Sequence, residues 1–324
     1  MLLAQGASAQ VDLELASDDE SFEFRGGAAN DHLGGDSAQS VRTIVTGDFN
    51  NDGIDDYAIA TYDDDSYGTV VLKFGSSTYN QKIYNIANVL DVKISGELSN
   101  KISDCIAAGD INGDGVDDLI IGAEQADHGG AGNTGAAYIF FGTGSWSSPL
   151  TLSDADVTIF GWAASSRLGS AVACGNFNGD SYDDLAISSD SYDASTGRVV
   201  VLAGQATWAS SIDLASDTPL FDATGPGSLS GFGRDIWFAD VDADGYDDLF
   251  VGAQDQDSPG QPFAGHAGYV HGYHGSTFPD TAADFECHGV STTYGLGQRG
   301  AGGDINNDGY DDVLVLATDS PTPK

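Results

Sequence analysis

Gly109-Asp110-Ile111-Asn112-Gly113-Asp114-Gly115-Val116-Asp117-Asp118-Leu119-Ile120-Ile121-Gly122-Ala123 joins a polar turn to a short apolar run. Counting from Asp110, oxygen-bearing side chains fall at positions 1, 3, 5 and 9: Asp110, Asn112, Asp114 and Asp118. Position 6 is Gly115, where the chain has to turn sharply. Hard cations such as calcium take six to eight oxygens in a flexible cage, and this spacing offers such a set. The apolar run that follows reads as a β-strand.

The same pattern occurs five times. Its first positions are Asp48, Asp110, Asn176, Asp240 and Asp304, spaced by 62, 66, 64 and 64 residues. A fixed beat of this length marks a repeat architecture. Position 12 is Ile59, Ile121, Ile187, Val251 and Val315, apolar in every copy, so the helix-loop-helix calcium motif, which needs an acid there, does not fit. Position 9 is Asp throughout and closes a nine-residue cage, with the position 7 carbonyl as a further oxygen. The ligand sets read in this way are Asp48, Asn50, Asp52, Ile54 and Asp56, then Asp110, Asn112, Asp114, Val116 and Asp118. The third is Asn176, Asn178, Asp180, Tyr182 and Asp184. The fourth and fifth are Asp240, Asp242, Asp244, Tyr246 and Asp248, and Asp304, Asn306, Asp308, Tyr310 and Asp312. Up to five Ca2+ are expected. The third loop should bind most weakly, because Asn176 replaces an acid and Ser181 replaces the turn glycine. The fourth, with four carboxylates, should be tightest.

Further marks keep the beat. Glycine-bounded segments at 68–75, 135–142, 197–204 and 268–275 have β-branched and aromatic interiors. Other strand-like segments end at Gly26, Gly96, Gly161, Gly225 and Gly289, and Leu-Gly or Phe-Gly pairs precede four of the loops. Each repeat thus carries four strands: A before the polar loop, B after it, C between the glycines, D last. Four short antiparallel strands per repeat predict an all-β chain, a β-propeller of four-stranded blades. Five repeats are visible. The last ends after its B strand, and the reading is that the chain is cut short there. The B–C connections (61–67, 124–134, 190–196, 254–267) vary most, which marks a binding rim shared with the D–A loops, opposite the polar loops. Tyr62, Tyr67, Tyr192 and Phe263 lie in these connections and are candidate ligand contacts.

The order Phe/Leu-Gly, then Gly-Asp-x-Asn-x-Asp-Gly-x-Asp-Asp-Leu, then Ile-Gly-Ala resembles the FG-GAP repeat of the integrin α-subunit N-terminal propeller and related secreted proteins. The resemblance spans about residues 22–317. It implies a calcium-binding, non-catalytic adhesion or protein-interaction module, and a seven-bladed parent. Repeat two departs with Ile102-Ser103 in place of Phe-Gly, and no proline follows Gly122-Ala123.

Composition bounds the function. Eleven basic residues against 50 acidic ones leave a net charge of −39, which excludes a nucleic-acid face and disfavours anionic membranes. Residues 1–10 read as a secretory-signal remnant or a loose N-terminus, with Ala7-Ser8-Ala9 as the cleavage-like element; residues 11–324 read as one propeller domain. A secreted or cell-surface location follows from this reading. Cys105, Cys174 and Cys287 form no metal or disulfide pattern and are expected as buried free thiols. No nucleophile elbow, HExxH or phosphate loop is present. His271 and His274 lie three apart on a strand, on opposite faces, and read as strand-surface histidines rather than a pair. Trp146 and Trp208, in equivalent C–D connections, read as packing residues. The alternative functions are a glycan-binding or glycan-cleaving propeller, lectin or lyase/hydrolase, and a passive surface-coat component.

Overall fold

The computed structural model describes residues 23–25, 32–33, 43–62, 67–77, 83–85, 90–97, 102, 105–227, 229–256, 268–275, 281–289 and 294–319. Short strands β1 (Glu23–Arg25) and β2 (His32–Leu33) come first. Blade 1 then holds β3 (Ile44–Gly47), β4 (Asp56–Tyr62), β5 (Thr69–Lys73), a short β6 (Ile83–Asn85) and β7 (Val92–Ser95). Blade 2 holds β8 (Ile106–Gly109), β9 (Asp118–Ala123), β10 (Ala136–Phe140), a short β11 (Leu150–Thr151) and β12 (Val157–Phe160). Blade 3 holds β13 (Val172–Gly175), β14 (Asp184–Ser189), β15 (Arg198–Leu202), a short β16 (Ser211–Asp213) and β17 (Phe221–Thr224). Blade 4 is β18 (Phe232–Ala239), β19 (Asp248–Ala253), β20 (Tyr269–Tyr273) and β21 (Phe285–His288). Blade 5 contributes β22 (Tyr294–Gly303) and β23 (Asp312–Asp319).

Within blades 1 to 4 the strands pair antiparallel in the order A-B-C-D, as the repeat predicts. The A strands β3, β8, β13, β18 and β22 contact one another in sequence, so they form the inner layer. Burial grades outward from them. Strands β9, β14 and β19 are buried at every residue, β7 and β12 alternate, and β21 is largely exposed. A strand covered on both faces needs a continuous apolar run, whereas an outer strand needs only every second residue. The core accordingly lies between blades: one cluster joins blades 1 and 2, one spans blades 2 to 4, and one joins blades 4 and 5.

The Phe/Leu-Gly and Gly-Ala marks meet at a blade boundary. Leu168 and Phe232 are buried, and their backbones bridge to Gly135 and Gly197, the glycines that open strands C. Gly169 has φ +87°, and a Cβ at Gly122 would lie 2.4 Å from the Gly169 carbonyl oxygen. Gly252 stands in the same relation to Gly297, at 2.0 Å. The two glycines of the motif are therefore backbone contacts across neighbouring blades, where no side chain fits.

Three short parallel pairings were not foreseen. Strand β7 pairs with β11 of the next blade, β12 pairs with β16, and β1 pairs with β6. Each joins a D strand to the C–D connection of the following repeat. Strand β1 thus takes the place of a D strand, in agreement with its sequence. Two expectations need correction. Of the three free cysteines only Cys105 is buried; Cys174 is half-buried and Cys287 exposed, because Cys287 falls on an outer D strand. His271 is buried rather than on the surface, since strand β20 is covered on both faces.

Candidate cation loops and binding rim

The A–B loops fold alike because their own side chains organise the turn. The carboxylate at position 1 gathers backbone N–H groups from positions 5 and 6. Asp48 accepts from Asp52 and Gly53 at 3.0 and 2.8 Å, Asp110 from Asp114 and Gly115 at 3.0 and 2.9 Å, and Asp304 from Asp308 and Gly309 at 3.1 and 2.9 Å. Asp240 accepts from Asp244 and Gly245 at 3.2 and 3.1 Å. Position 4 is left-handed in all five loops (Asn51, Gly113, Gly179, Ala243, Asn307), as are the position 6 glycines of four. The third loop differs as expected. Asn176 donates its Nδ2 to the Asp180 carbonyl at 3.0 Å, and Ser181 is not left-handed.

Position 9 anchors each loop to its blade. Asp56, Asp118, Asp184 and Asp248 are at most 1% exposed. One oxygen of Asp118 accepts from the Ile111 N–H at 3.2 Å and the other from the Gly142 N–H at 2.9 Å, which ties the loop start to the end of strand C. Asp56 makes the same two bonds to Phe49 and Gly75, at 3.0 and 2.7 Å. Burial pushes these acids up, with nearby carboxylates adding to it and the backbone donors opposing it. Asp118 rises to about 8, and Asp56 and Asp184 to about 6. Burial raises Asp248 too, against a hydrogen bond from His274.

The donor chemistry fits a hard cation. The side chains at positions 1, 3, 5 and 9 of all five loops are Asp or Asn and offer oxygen ligands. Carboxylate oxygens of Asp240, Asp242 and Asp244 lie within 4.8 Å of one another. Asn50 Oδ1 and Asn176 Oδ1, at positions 3 and 1 of their loops, are buried without a hydrogen-bond partner. A buried acceptor left unsatisfied costs about 1–3 kcal/mol, and a bound cation would remove that cost.

A second acidic position went unassigned in the sequence. Every copy has a doubled Asp, and the first of the pair, position 8, reaches the preceding blade. Asp117 Oδ2 accepts from the Asp48 N–H at 2.8 Å, Asp183 Oδ2 from Asp110 at 3.1 Å, Asp247 Oδ2 from Asn176 at 2.7 Å, and Asp311 Oδ2 from Asp240 at 3.2 Å. In return the N–H groups of Asp117, Asp183, Asp247 and Asp311 donate to the carbonyls of Asp48, Asp110, Asn176 and Asp240 at 2.9–3.3 Å. Each blade boundary therefore carries a reciprocal latch. Trp146 and Trp208 reinforce it, donating Nε1–H to the carbonyls of Phe49 and Ile111 at 2.7 and 3.1 Å, the packing role read from their equivalent positions. The ring of Tyr182 lies against Gly113, and that of Tyr246 against Gly179.

The B–C and D–A loops share the other end of the blades. Leu168 in a D–A loop takes the Thr134 carbonyl of a B–C loop at 3.1 Å, and Ile102 takes that of Tyr67 at 2.9 Å. Tyr67 is exposed. Tyr192 is half-buried and meets Trp162 edge-on, with ring centroids 5.3 Å apart. Arg198 lies 4.0 Å over the Trp162 ring and 5.1 Å from that of Tyr192, held by a two-pronged pair with Asp222. Trp162 was missed; its place directly after Gly161, at the start of its D–A loop, was the available signal. Tyr62 closes strand β4, and Phe263 lies outside the described residues.

The buried histidine is fully engaged: His271 Nε2 meets Gln256 Oε1 at 2.8 Å and Nδ1 meets Glu286 Oε1 at 3.1 Å. Within the described residues no helix is long and apolar enough to cross a membrane.

Stacked four-stranded blades with oxygen-lined A–B turns define a β-propeller. The FG-GAP repeat family matches at residues 106–140 and 168–202, so the chain carries FG-GAP repeats over those residues. It is 32% identical to mouse (Mus musculus) integrin alpha-IIb over 170 residues, 50% of this chain and 16% of that protein. It is also 30% identical over 157 residues to phosphatidylinositol-glycan-specific phospholipase D of Rattus norvegicus, covering 45% of this chain and 18% of the relative. The bovine (Bos taurus) phospholipase D of that name is 28% identical over 237 residues, 68% of this chain and 26% of its own length. The chain thus spans about a quarter or less of each of these relatives.

Proposed function

We propose that the chain is a secreted, calcium-stabilised and non-catalytic propeller domain over residues 11–324 that serves as an interaction or adhesion module. Calcium would sit in the A–B loops, held by the oxygens at positions 1, 3, 5 and 9 and the position 7 carbonyl, with the third loop weakest. The observation that carries the metal reading is Asn50 Oδ1, buried at a ligand position with nothing to accept from. The raised Asp118 supports it, since an adjacent cation would favour the carboxylate that burial disfavours. Resemblance to integrin α-subunits supports an adhesion role, and the Ala7-Ser8-Ala9 element supports secretion.

The partner is expected on the B–C and D–A rim. Trp162, Tyr192 and Arg198 form a fixed, partly exposed aromatic and cationic group there, the kind of residue that anchors interfaces. Two measurements test the proposal. Metal analysis of the purified protein should find calcium, and excess chelator should lower Tm by several degrees. An unchanged melt with no bound calcium removes the metal claim. For the partner, wild type and Trp162→Ala are compared on arrays of extracellular proteins and of glycans. Selective loss of protein binding supports the module, whereas glycan signals alone would move the reading to a lectin. Hydrolysis of a phosphatidylinositol-glycan by the purified chain would overturn the non-catalytic reading.

A further inference from the structure

The fourth A–B loop departs from its sisters in one linked pair of residues. In blades 1, 2 and 3 position 3 is Asn, and its Nδ2 donates to the position 9 carboxylate at 3.2, 3.4 and 3.1 Å. In blade 4 position 3 is Asp242, which has no proton to give. The place is taken from another strand. His274, the last residue before the glycine that ends segment C, puts Nδ1 3.0 Å from Asp248 Oδ1 and 3.6 Å from Asp242 Oδ2. The residues at that register in blades 1, 2 and 3 are Phe74, Phe141 and Ala203, so the imidazole belongs to this loop alone.

One nitrogen and two carboxylates from different segments converge with their ligand atoms within 4.8 Å of one another. His274 and Asp242 are partly exposed, at 28% and 44%, and leave the group open to solvent, while Asp248 is fixed in the interior. We propose that Asp242, Asp248 and His274 form a mixed oxygen–nitrogen site for a first-row divalent ion of the zinc type. The inference rests on the reading of the A–B loops as cation sites and makes the fourth loop a different one. Calcium takes oxygens, whereas an imidazole with carboxylates suits zinc and its neighbours. The histidine would bind through the Nδ1 lone pair with its proton on Nε2, the tautomer opposite to the one that donates to Asp248. Asp242 also belongs to the oxygen group Asp240, Asp242 and Asp244, and Asp248 closes the same loop at position 9, so the ion would lie at the edge of the calcium cage and draw on two of its ligands.

The test uses the full chain in saturating calcium, dialysed against zinc, with bound metals counted by mass spectrometry. His274→Phe installs the residue that blades 1 and 2 carry at this register, and His274→Gln retains a hydrogen-bond donor toward Asp248. Both variants are expected to bind one zinc fewer per chain than wild type, with far-UV circular dichroism unchanged. In wild type, zinc should shift the His274 imidazole 15N signal at Nδ1. Equal zinc counts in wild type and both variants, or an unmoved His274 signal, would overturn the site. A calcium-dependent rise in Tm that persists in His274→Phe would leave the calcium reading standing on its own. Its absence in wild type, with the zinc difference intact, would remove that reading and keep this one.

Discussion

The two ends of the blades obey different rules. On the A–B end the same position does the same task in blade after blade: position 1 gathers the turn in every loop but the third, position 8 latches the preceding blade at four boundaries, and position 9 ties the loop to strand C in blades 1 to 4. On the B–C and D–A end the backbone bridges repeat, such as Gly135 with Leu168 and Gly197 with Phe232, as does a serine bond to the threonine carbonyl beside each (Ser166 to Thr134, Ser230 to Thr196), while the exposed side chains around them differ from blade to blade. Repetition on one end shows a demand common to every blade, which is structural. Where it fades on the other, the outer side chains are free to vary.

Substitutions should separate the ends by their size. The largest effect is expected at position 9. Asp118→Ala strands the buried Gly142 N–H, leaves the Ile111 N–H only the Gly109 carbonyl and opens a void, and should cost about 2–4 kcal/mol in chemical unfolding. A loss close to zero would break the contrast. Asp183→Ala removes one side of a latch whose carboxylate is only half-buried, and about 1–2 kcal/mol is expected, with the backbone half of the latch retained. Tyr67→Ser on the exposed rim should stay within about 0.5 kcal/mol.

A pH series sharpens the same contrast without mutation. In chelator, the folded state holds the Asp118 proton up to about 8 and those of Asp56 and Asp184 up to about 6, above the ordinary 3.8. The folded state then binds more protons than the unfolded one across that interval, so stability should fall as pH rises from about 4 toward 8. Calcium should flatten the decline, because it holds the carboxylates ionised. Tm measured against pH with and without calcium checks this, and identical profiles would count against metal at these loops. An effect of the opposite sign is expected at the third loop. Asn176→Asp combined with Ser181→Gly should add calcium capacity while moving Tm by only a few degrees, seen by isothermal titration.

Much of this was legible from the repeat. Strand order and the end that carries each loop type follow from the periodic glycines and the apolar position 12 residues, and the altered turn of the third loop follows from Asn176 and Ser181. The latch was not legible, although its residue was in plain view. The second Asp of each pair serves its own blade and the first serves the neighbour, and a spacing rule says nothing about which. The three parallel pairings involve only two or three residues each, too few for a pattern. His274 was set aside because strand alternation separates it from His271. That argument is sound within one sheet but does not reach Asp242, which lies in a loop of another segment. The loss of the Asn donor at position 3 was the clue.

The latch also has a direction. Every complete blade carries one half of the junction at position 1 and the other half at position 8, and the two halves are used on opposite sides. A copied repeat would therefore bring both halves with it and seat itself between its parents without a single new contact having to be invented. Growth by duplication is built into the unit, because the contact that joins neighbours travels with every copy.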